Sequence, residues 1–160
     1  SNYNFLNVRF FGQIKASLNE NNIYYKLYQS GFEVFKNNKL LGVGNKNYRV
    51  ETCEGTNKNK KYFCTTHPHQ IYFELLSEHG LIGTLIILSI FYKLIFSKIL
   101  GTIREKYYVK IGSLVYLTFI FIPIIPSGAF FTNYALTIFA INLSIFYALD
   151  KKLNIFKKLN

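Results

Sequence analysis

The sequence predicts an all-α integral membrane protein, in which an external region with short amphipathic helices precedes three transmembrane helices. Two observations carry this prediction. Half of the 160 residues are hydrophobic, although the formal net charge is +11. The apolar residues are also segregated: residues 111–149 contain no Asp, Glu, Lys or Arg. Such a run is too long for one buried strand or core helix and is typical of a membrane domain.

The first part of the chain, residues 1–79, is predicted to be an external loop region with short helices. Apolar and aromatic residues recur at helical spacing over residues 23–36, and Asn21 or Asn22 is placed to cap that helix. Its broad aromatic face favours an amphipathic helix near the membrane surface. A second short helix is predicted from about residue 69 to 79, with Pro68 in its first turn.

Three transmembrane helices are predicted to follow. A span takes about 20 apolar residues, each rising about 1.5 Å, to cross a hydrocarbon core of about 30 Å. Residues 80–100 satisfy this requirement. The uncharged run is divided into spans 111–126 and 133–149 by a turn, residues 127–132, because turn-forming residues interrupt it. These residues are Pro123, Pro126, Ser127 and Gly128.

The basic residues indicate the orientation of these spans. They flank the connection 101–110 and fill the tail 150–160, whereas the turn 127–132 has no charge. The positive-inside rule then places the connection and the tail in the cytoplasm, and residues 1–79 outside. The residues concerned are Lys93, Lys98, Arg104, Lys106, Lys110, Lys151, Lys152, Lys157 and Lys158.

The same topology has two further implications. No basic, aromatic-studded soluble face is apparent, so the charge does not indicate a nucleic-acid partner. An external segment at the N-terminus also needs a means of translocation, and no signal-peptide pattern is present at Ser1. We therefore expect the sequence to be a fragment of a larger polytopic protein, namely its C-terminal portion.

His69 is the leading candidate for chemistry. Its imidazole can accept a proton near neutral pH and could act as a general base, although a histidine beside a proline can also simply line a helix start. His67 and His69 form a zinc half-site, but Glu74, Glu78 and His79 match no established third-ligand spacing, so no metal is predicted. The two glutamates lie four apart on one helix face, where they either orient a histidine or are solvated.

Arg49 is a candidate for binding phosphate. It is the only arginine in residues 12–103 of a lysine-rich chain, and a guanidinium forks onto phosphate as an ammonium cannot. It follows Gly42 and Gly44, where the backbone can approach a ligand closely. The alternative is a surface arginine beside a glycine turn. Arg9 is a second, weaker candidate.

Cys53 and Cys64 lie in the segment predicted to be external. Because such compartments are oxidising, a disulfide is favoured over two free thiols. It would close the loop ahead of His69 and stabilise the fold by about 2–3 kcal/mol.

Together these residues resemble the O-antigen ligase superfamily of polytopic bacterial membrane glycosyltransferases. The family motif is His, then Asn, Ser or Gln, nine residues, Gly, two residues, and commonly Gly. His69-Gln70, nine residues, Gly80 and Gly83 match it. The preceding Gly42-Val43-Gly44 and Tyr48-Arg49 are similar to the family's glycine turn and its following aromatic-Arg pair. The resemblance covers roughly residues 23–149.

The resemblance implies a metal-independent enzyme without a cofactor, in the bacterial inner membrane with its active-site loop in the periplasm. Its reaction moves a glycan from undecaprenyl pyrophosphate to an acceptor sugar hydroxyl, commonly on lipid A–core, among membrane lipids. Carried onto this chain, His69 would activate or position the acceptor hydroxyl. Arg49 and Arg9 would stabilise the departing pyrophosphate. The alternatives are an O-antigen polymerase and a non-catalytic polytopic membrane component.

Overall fold

A computed structural model describes residues 11–12, 15, 19–54, 61–123 and 126–149. Within these ranges the chain has no β-strand, which confirms the all-helical prediction for this part of the molecule. A π-helical turn at Val50–Glu54 and a 3-10 turn at Phe96–Lys98 connect longer elements. The α-helices are α1 Ile23–Asn37, α2 Ile71–Leu94, α3 Ile99–Arg104, α4 Tyr108–Phe119 and α5 Asn133–Ala148. Arg9 and the predicted tail 150–160 lie outside the described residues.

Helix α1 begins where the sequence predicts. The side chain of Asn22 accepts a hydrogen bond from the Tyr24 amide at 2.9 Å, so Asn22 is the N-cap. The helix buries Leu27 and Val34 together with a polar residue, Ser30. The polar residue is satisfied by bonds that fasten α1 to its surroundings, described with the site below.

Helix α2 belongs to a membrane-span candidate. Together with the 3-10 turn and α3 it forms the helical stretch Ile71–Arg104, 34 residues long. In the part of the chain that the structure describes, this is the one stretch long and apolar enough to cross a membrane. Only 17% of its apolar window is buried, and Leu85, Ile86 and Ile90 are exposed, as expected for a surface that faces lipid.

Helices α4 and α5 are apolar but shorter than the predicted spans. They have 12 and 16 residues. At about 1.5 Å per residue they reach about 18 and 24 Å, less than the hydrocarbon core of about 30 Å. Most of helix α3 and the start of α4 also lie within the segment 101–110 that was predicted to be a loop. The described residues therefore contain one candidate span, and three spans remain a prediction.

The chain divides into two compact units. Among the described residues, the first unit contains those up to 85 and those of 123–130, and the second contains those of 86–122 and 131–149. Aromatic packing builds the second unit, where the ring of Phe91 lies 4.9 Å from that of Phe121 and 5.3 Å from that of Phe139. Lys110 is buried there and donates to Glu105 at 2.8 Å. The candidate site residues that the structure describes all belong to the first unit.

Candidate functional site

Helix α2 is broken at Gly80. The backbone of this residue has φ 63° and ψ −169°, far from helical values. In a regular helix each amide bonds to the carbonyl four residues earlier. The break therefore frees the amides of Leu81 and Ile82, and it frees the carbonyls of Ser77 and Glu78 to which they would have bonded.

The loop after α1 replaces both lost hydrogen bonds. The freed amides donate to the carbonyls of Lys39 and Leu40, Leu81 at 2.8 Å and Ile82 at 3.2 Å. The freed carbonyls accept from the amides of Val43 and Gly44. These bonds measure 3.0 Å to Ser77 and 2.8 Å to Glu78. Every backbone group released by the break is thus satisfied, which is what a buried chain requires.

Glycine is required on both sides of this junction. Gly42 and Gly80 have φ of 69° and 63°, a region that other residues rarely adopt. A Cβ on Gly42 would overlap the carbonyl of Glu78, and one on Gly80 would overlap the carbonyl of Leu40. The loop and the helix break therefore approach each other backbone to backbone. The glycine turn and the His-to-Gly motif are two halves of one structure.

Three other residues support the junction. Gly44 also has a positive φ, 93°. A Cβ on Gly83 would lie 2.7 Å from the Cβ of His79, so the position must stay small. The buried carboxylate of Glu78 accepts from the Lys46 amide at 2.9 Å, which continues the docking of the loop. Glu78 is therefore a structural anchor and is not solvated.

Beyond the loop, Tyr48 ties the junction to α1. Its ring is fully buried, and its hydroxyl donates to the Ser30 hydroxyl at 2.7 Å. Ser30 also accepts from the Phe63 amide at 2.9 Å. Cys64 follows directly and is joined to Cys53 by a disulfide. Helix α1, the loop and the segment around Cys64 are consequently linked to one another by these bonds.

The start of α2 is set by Gln70. Its side-chain oxygen accepts from the amides of Tyr72 at 2.8 Å and Phe73 at 3.1 Å, which caps the helix. These amides are therefore already hydrogen-bonded within the protein. An anionic ligand near this helix end must find other donors, such as basic side chains.

His69 is held in an unusual backbone conformation. Its φ is 55°, a conformation that costs a non-glycine residue about 1–3 kcal/mol and persists only where the surrounding structure holds it. Residues in such conformations are concentrated at functional sites. Its carbonyl accepts from the Ser127 amide at 2.8 Å. Its ring lies 4.0 Å from that of His67 and 6.4 Å from that of Tyr24, between ring centroids. The surrounding chain fixes the imidazole while leaving it half-buried.

Glu74 fixes the segment that holds His69. This glutamate is buried on α2, and its two oxygens accept from the Phe130 amide at 3.1 and 3.0 Å. Ser127 lies in the same 126–130 segment. Glu74 and His69 are therefore connected through residues far along the chain, and Glu74 is not solvated either.

Burial keeps the site histidines neutral. Desolvation lowers the pKa of His67 to about 4, assisted by the neighbouring His69 and opposed by a hydrogen bond with the Ser127 backbone. Desolvation also lowers the pKa of His69. Near neutral pH both rings are unprotonated. At that pH His69 can accept a proton, because the adjacent His67 is itself uncharged.

The remaining predicted residues are placed as follows. Arg49 lies just before the Val50–Glu54 turn and is exposed, and within the described residues its side chain has no hydrogen bond or ion pair. The structure therefore does not bring Arg49 into contact with His69. Over the ranges that the structure describes, no three His, Cys, Asp or Glu side chains are grouped as a metal site.

The sequence did not identify Tyr24 and Ser127 as partners of His69. Tyr24 was assigned only to an amphipathic face, and Ser127 only to a turn. The contact with Ser127 joins residues far apart in the chain, so no local pattern could reveal it. For the nearby contact between Glu74 and Phe130 one signal was available: Glu74 interrupts an apolar helix, and a carboxylate in such a place needs a buried partner.

The fold and site define a helical protein with one candidate membrane span, in which a fixed histidine stands at the start of a kinked helix that a loop docks against. The chain belongs to the O-antigen ligase family, whose model matches residues 2–88, more than half of the sequence. This match confirms the resemblance seen in the sequence. The family comprises membrane enzymes of the glycosyltransferase type that act on lipid-linked glycans. Comparisons with curated proteins and with solved structures found no match.

Proposed function

We propose that this protein transfers a glycan from undecaprenyl pyrophosphate to an acceptor sugar hydroxyl, on lipid A–core or a similar glycan, at the periplasmic face of the bacterial inner membrane. The observation that supports this most is the backbone conformation of His69, a left-handed residue held by Ser127 at the start of α2. Membership of the O-antigen ligase family supports the class of reaction.

In the proposed reaction His69 is the general base. Its neutral imidazole accepts the proton of the acceptor hydroxyl as the oxygen attacks the anomeric carbon of the donor sugar. The new carbon–oxygen bond forms while the bond from the anomeric carbon to the pyrophosphate breaks. The pyrophosphate leaves with the bonding electron pair, and the proton stays on His69 until solvent or product removes it. No metal ion or cofactor takes part.

The leaving pyrophosphate gains negative charge, which a positioned cation stabilises. Within the described residues Arg49 is our candidate for this role, because it is exposed and not engaged by another side chain. Arg9 is proposed as a second contributor from outside the described residues. Gln70 and the glycines Gly42, Gly44, Gly80 and Gly83 have structural roles, since they build the scaffold that holds His69.

The test is His69→Ala in the full-length protein, assayed for transfer from the lipid-linked donor. A positioned base contributes about 10²–10⁴-fold, so transfer should fall by at least that lower factor while the protein still inserts in the membrane. Tyr92→Phe, on an exposed residue of α2, is the control and should retain wild-type activity. Wild-type transfer by His69→Ala would refute the role of His69.

Two further measurements refine the reaction. Chain-length analysis of the product distinguishes a ligase, which attaches the glycan once, from the alternative, an O-antigen polymerase, which extends lipid-linked glycan. Chelation with EDTA should leave turnover unchanged. A loss of turnover that added zinc restores would contradict metal independence.

A further inference from the structure

An exposed apolar patch surrounds the junction between the loop and α2. In the loop, Leu40 and Leu41 are 64% and 73% exposed. In the first turns after the helix break, Leu81, Ile82 and Leu85 are exposed as well. The backbone bonds from Leu81 and Ile82 to the loop hold these two segments next to each other. Apolar side chains that are exposed together mark a surface that contacts a partner or a membrane.

The break at Gly80 also marks a change in what covers α2. None of residues 71–80 is exposed, whereas more than half of residues 81–90 are. The exposed part is the apolar part of the candidate span. Leu81 therefore lies where cover by the protein ends and contact with lipid would begin. Because the loop is bonded to this turn, Leu40 and Leu41 lie at the same level of the molecule.

The backbone of the loop is suited to this level. Two of its carbonyls accept from α2 and two of its amides donate to α2, as described above. The Gly42 amide donates to the Asn38 carbonyl at 3.0 Å. Irregular backbone is tolerated at the depth of hydrocarbon only where the protein pairs its polar groups. The loop can therefore meet hydrocarbon with the side chains of Leu40 and Leu41.

A basic residue borders the patch. Lys39 directly precedes the two leucines, is exposed, and forms no ion pair within the described residues. At a membrane boundary a lysine keeps its methylene groups in apolar surroundings and extends its ammonium group to the phosphates. A wholly apolar protein surface would leave this charge without a counter-ion. A phospholipid offers acyl chains to the leucines and a phosphate to the lysine.

We infer that the loop is a lipid anchor: Leu40 and Leu41 insert into the bilayer at the level of the Gly80 break, and Lys39 binds the headgroup of an anionic phospholipid. The partner is thus the membrane itself. The anchor fixes the depth of the junction, and with it the depth at which α2 begins to cross. This inference concerns a surface and does not depend on the reaction proposed for His69.

The test measures the depth of the loop in full-length protein, reconstituted in nanodiscs of phosphatidylcholine and phosphatidylglycerol. Leu41→Cys is labelled with the fluorophore NBD, while Cys53 and Cys64 stay protected in their disulfide. Nitroxide-labelled lipid should quench most of its fluorescence, and iodide in the water should quench little. Asn47→Cys is the control, because this residue is exposed and follows Lys46, whose amide bonds to Glu78 on the covered side of the break. Its label should respond in the opposite way.

A second variant tests the headgroup contact. With NBD at position 41, nitroxide-labelled phosphatidylglycerol should quench more than labelled phosphatidylcholine. Lys39→Gln should reduce this preference about fivefold, the effect of one lysine near an anionic surface. Lys26→Gln, at another exposed lysine of the first unit, should leave it unchanged.

Two results at position 41 would overturn the inference. Quenching by iodide alone would place the loop in water, and protection from both quenchers would show that another protein segment covers the patch. An equal preference for phosphatidylglycerol in Lys39→Gln and Lys26→Gln would overturn the role of Lys39. No turnover is measured, so these outcomes are separate from the activity of His69→Ala, which tests the proposed function.

Discussion

Gly80→Ala tests the junction between the loop and α2 most directly. An alanine held at φ 63° and ψ −169° costs about 1–3 kcal/mol, since this region is nearly exclusive to glycine. Its Cβ would also overlap the Leu40 carbonyl, so the loop must move away. Movement would break the bonds from Leu81 and Ile82 to the loop, worth about 0.5–1.5 kcal/mol each.

These terms together predict a loss of about 2–6 kcal/mol, a large part of the 5–15 kcal/mol that typically stabilises a domain. Thermal unfolding of the full-length protein in detergent, followed by circular dichroism, measures the effect. Gly112→Ala is the matched control. Gly112 lies in α4, and nothing lies within 4 Å of a Cβ placed there. Alanine should be neutral or stabilise by about 0.5–1 kcal/mol at that position.

The reasoning would be refuted if Gly80→Ala and Gly112→Ala unfolded at the same temperature. That result would mean that the helix break accepts a side chain and that the loop does not approach the backbone as described. Gly42→Ala provides a second test of the junction, because its Cβ would overlap the Glu78 carbonyl from the loop side. It should destabilise the protein to a similar extent.

The remaining predictions concern the buried carboxylate, the disulfide and the histidines. Glu74→Gln replaces the charged acceptor of the Phe130 amide by a neutral carbonyl oxygen and should cost about 1–1.5 kcal/mol. The exposed Glu54→Gln should have no effect on the same melting curve, and equal effects would contradict the clamp. Reduction of the Cys53–Cys64 disulfide should lower the free energy of unfolding by about 2–3 kcal/mol. An impermeant thiol reagent should then label both sulfurs in intact spheroplasts. Protection of the sulfurs would contradict an external loop. The pKa of His67 in the folded protein, about 4, lies below its usual value of 6.5, so the unfolded chain binds more protons between these values. Stability should therefore be complete above pH 6.5 and fall as the pH drops towards 4, and a pH-independent melting temperature would contradict this. The lowered pKa of His69 should likewise place the acid limb of the kcat/KM profile below pH 6.5, and a limb above that value would exclude this residue as the base.

Local patterns predicted part of the fold well. Asn22 caps α1 as expected, because capping depends on a few adjacent residues. The short helix predicted to end at about residue 79 also ends there, at the break on Gly80. Helix α5 also lies within one residue of the predicted helix 133–149. The bounds of α4 were not expected, since the uncharged run marks apolar character without fixing where each helix ends.

The candidate site could be predicted only in its local elements. His69 and the glycines stand in recognisable motifs, so the sequence identified them as candidates. Their three-dimensional relation is set by contacts between distant segments, such as Ser127 with His69 and Phe130 with Glu74. The sequence left open whether Glu74 was solvated or oriented a histidine. The structure shows a third arrangement, in which the carboxylate holds the backbone of the 126–130 segment.

The junction at Gly80 also affects how this protein can be recombined with its relatives. Residues 39–44 and 77–82 complete each other's backbone hydrogen bonds, so neither segment is a self-sufficient module. A chimera with its crossover between these segments would join two halves from different parents, and any mismatch would leave four polar groups unpaired in the helix break. A crossover placed before residue 39 or after residue 82 would inherit the junction intact from one parent.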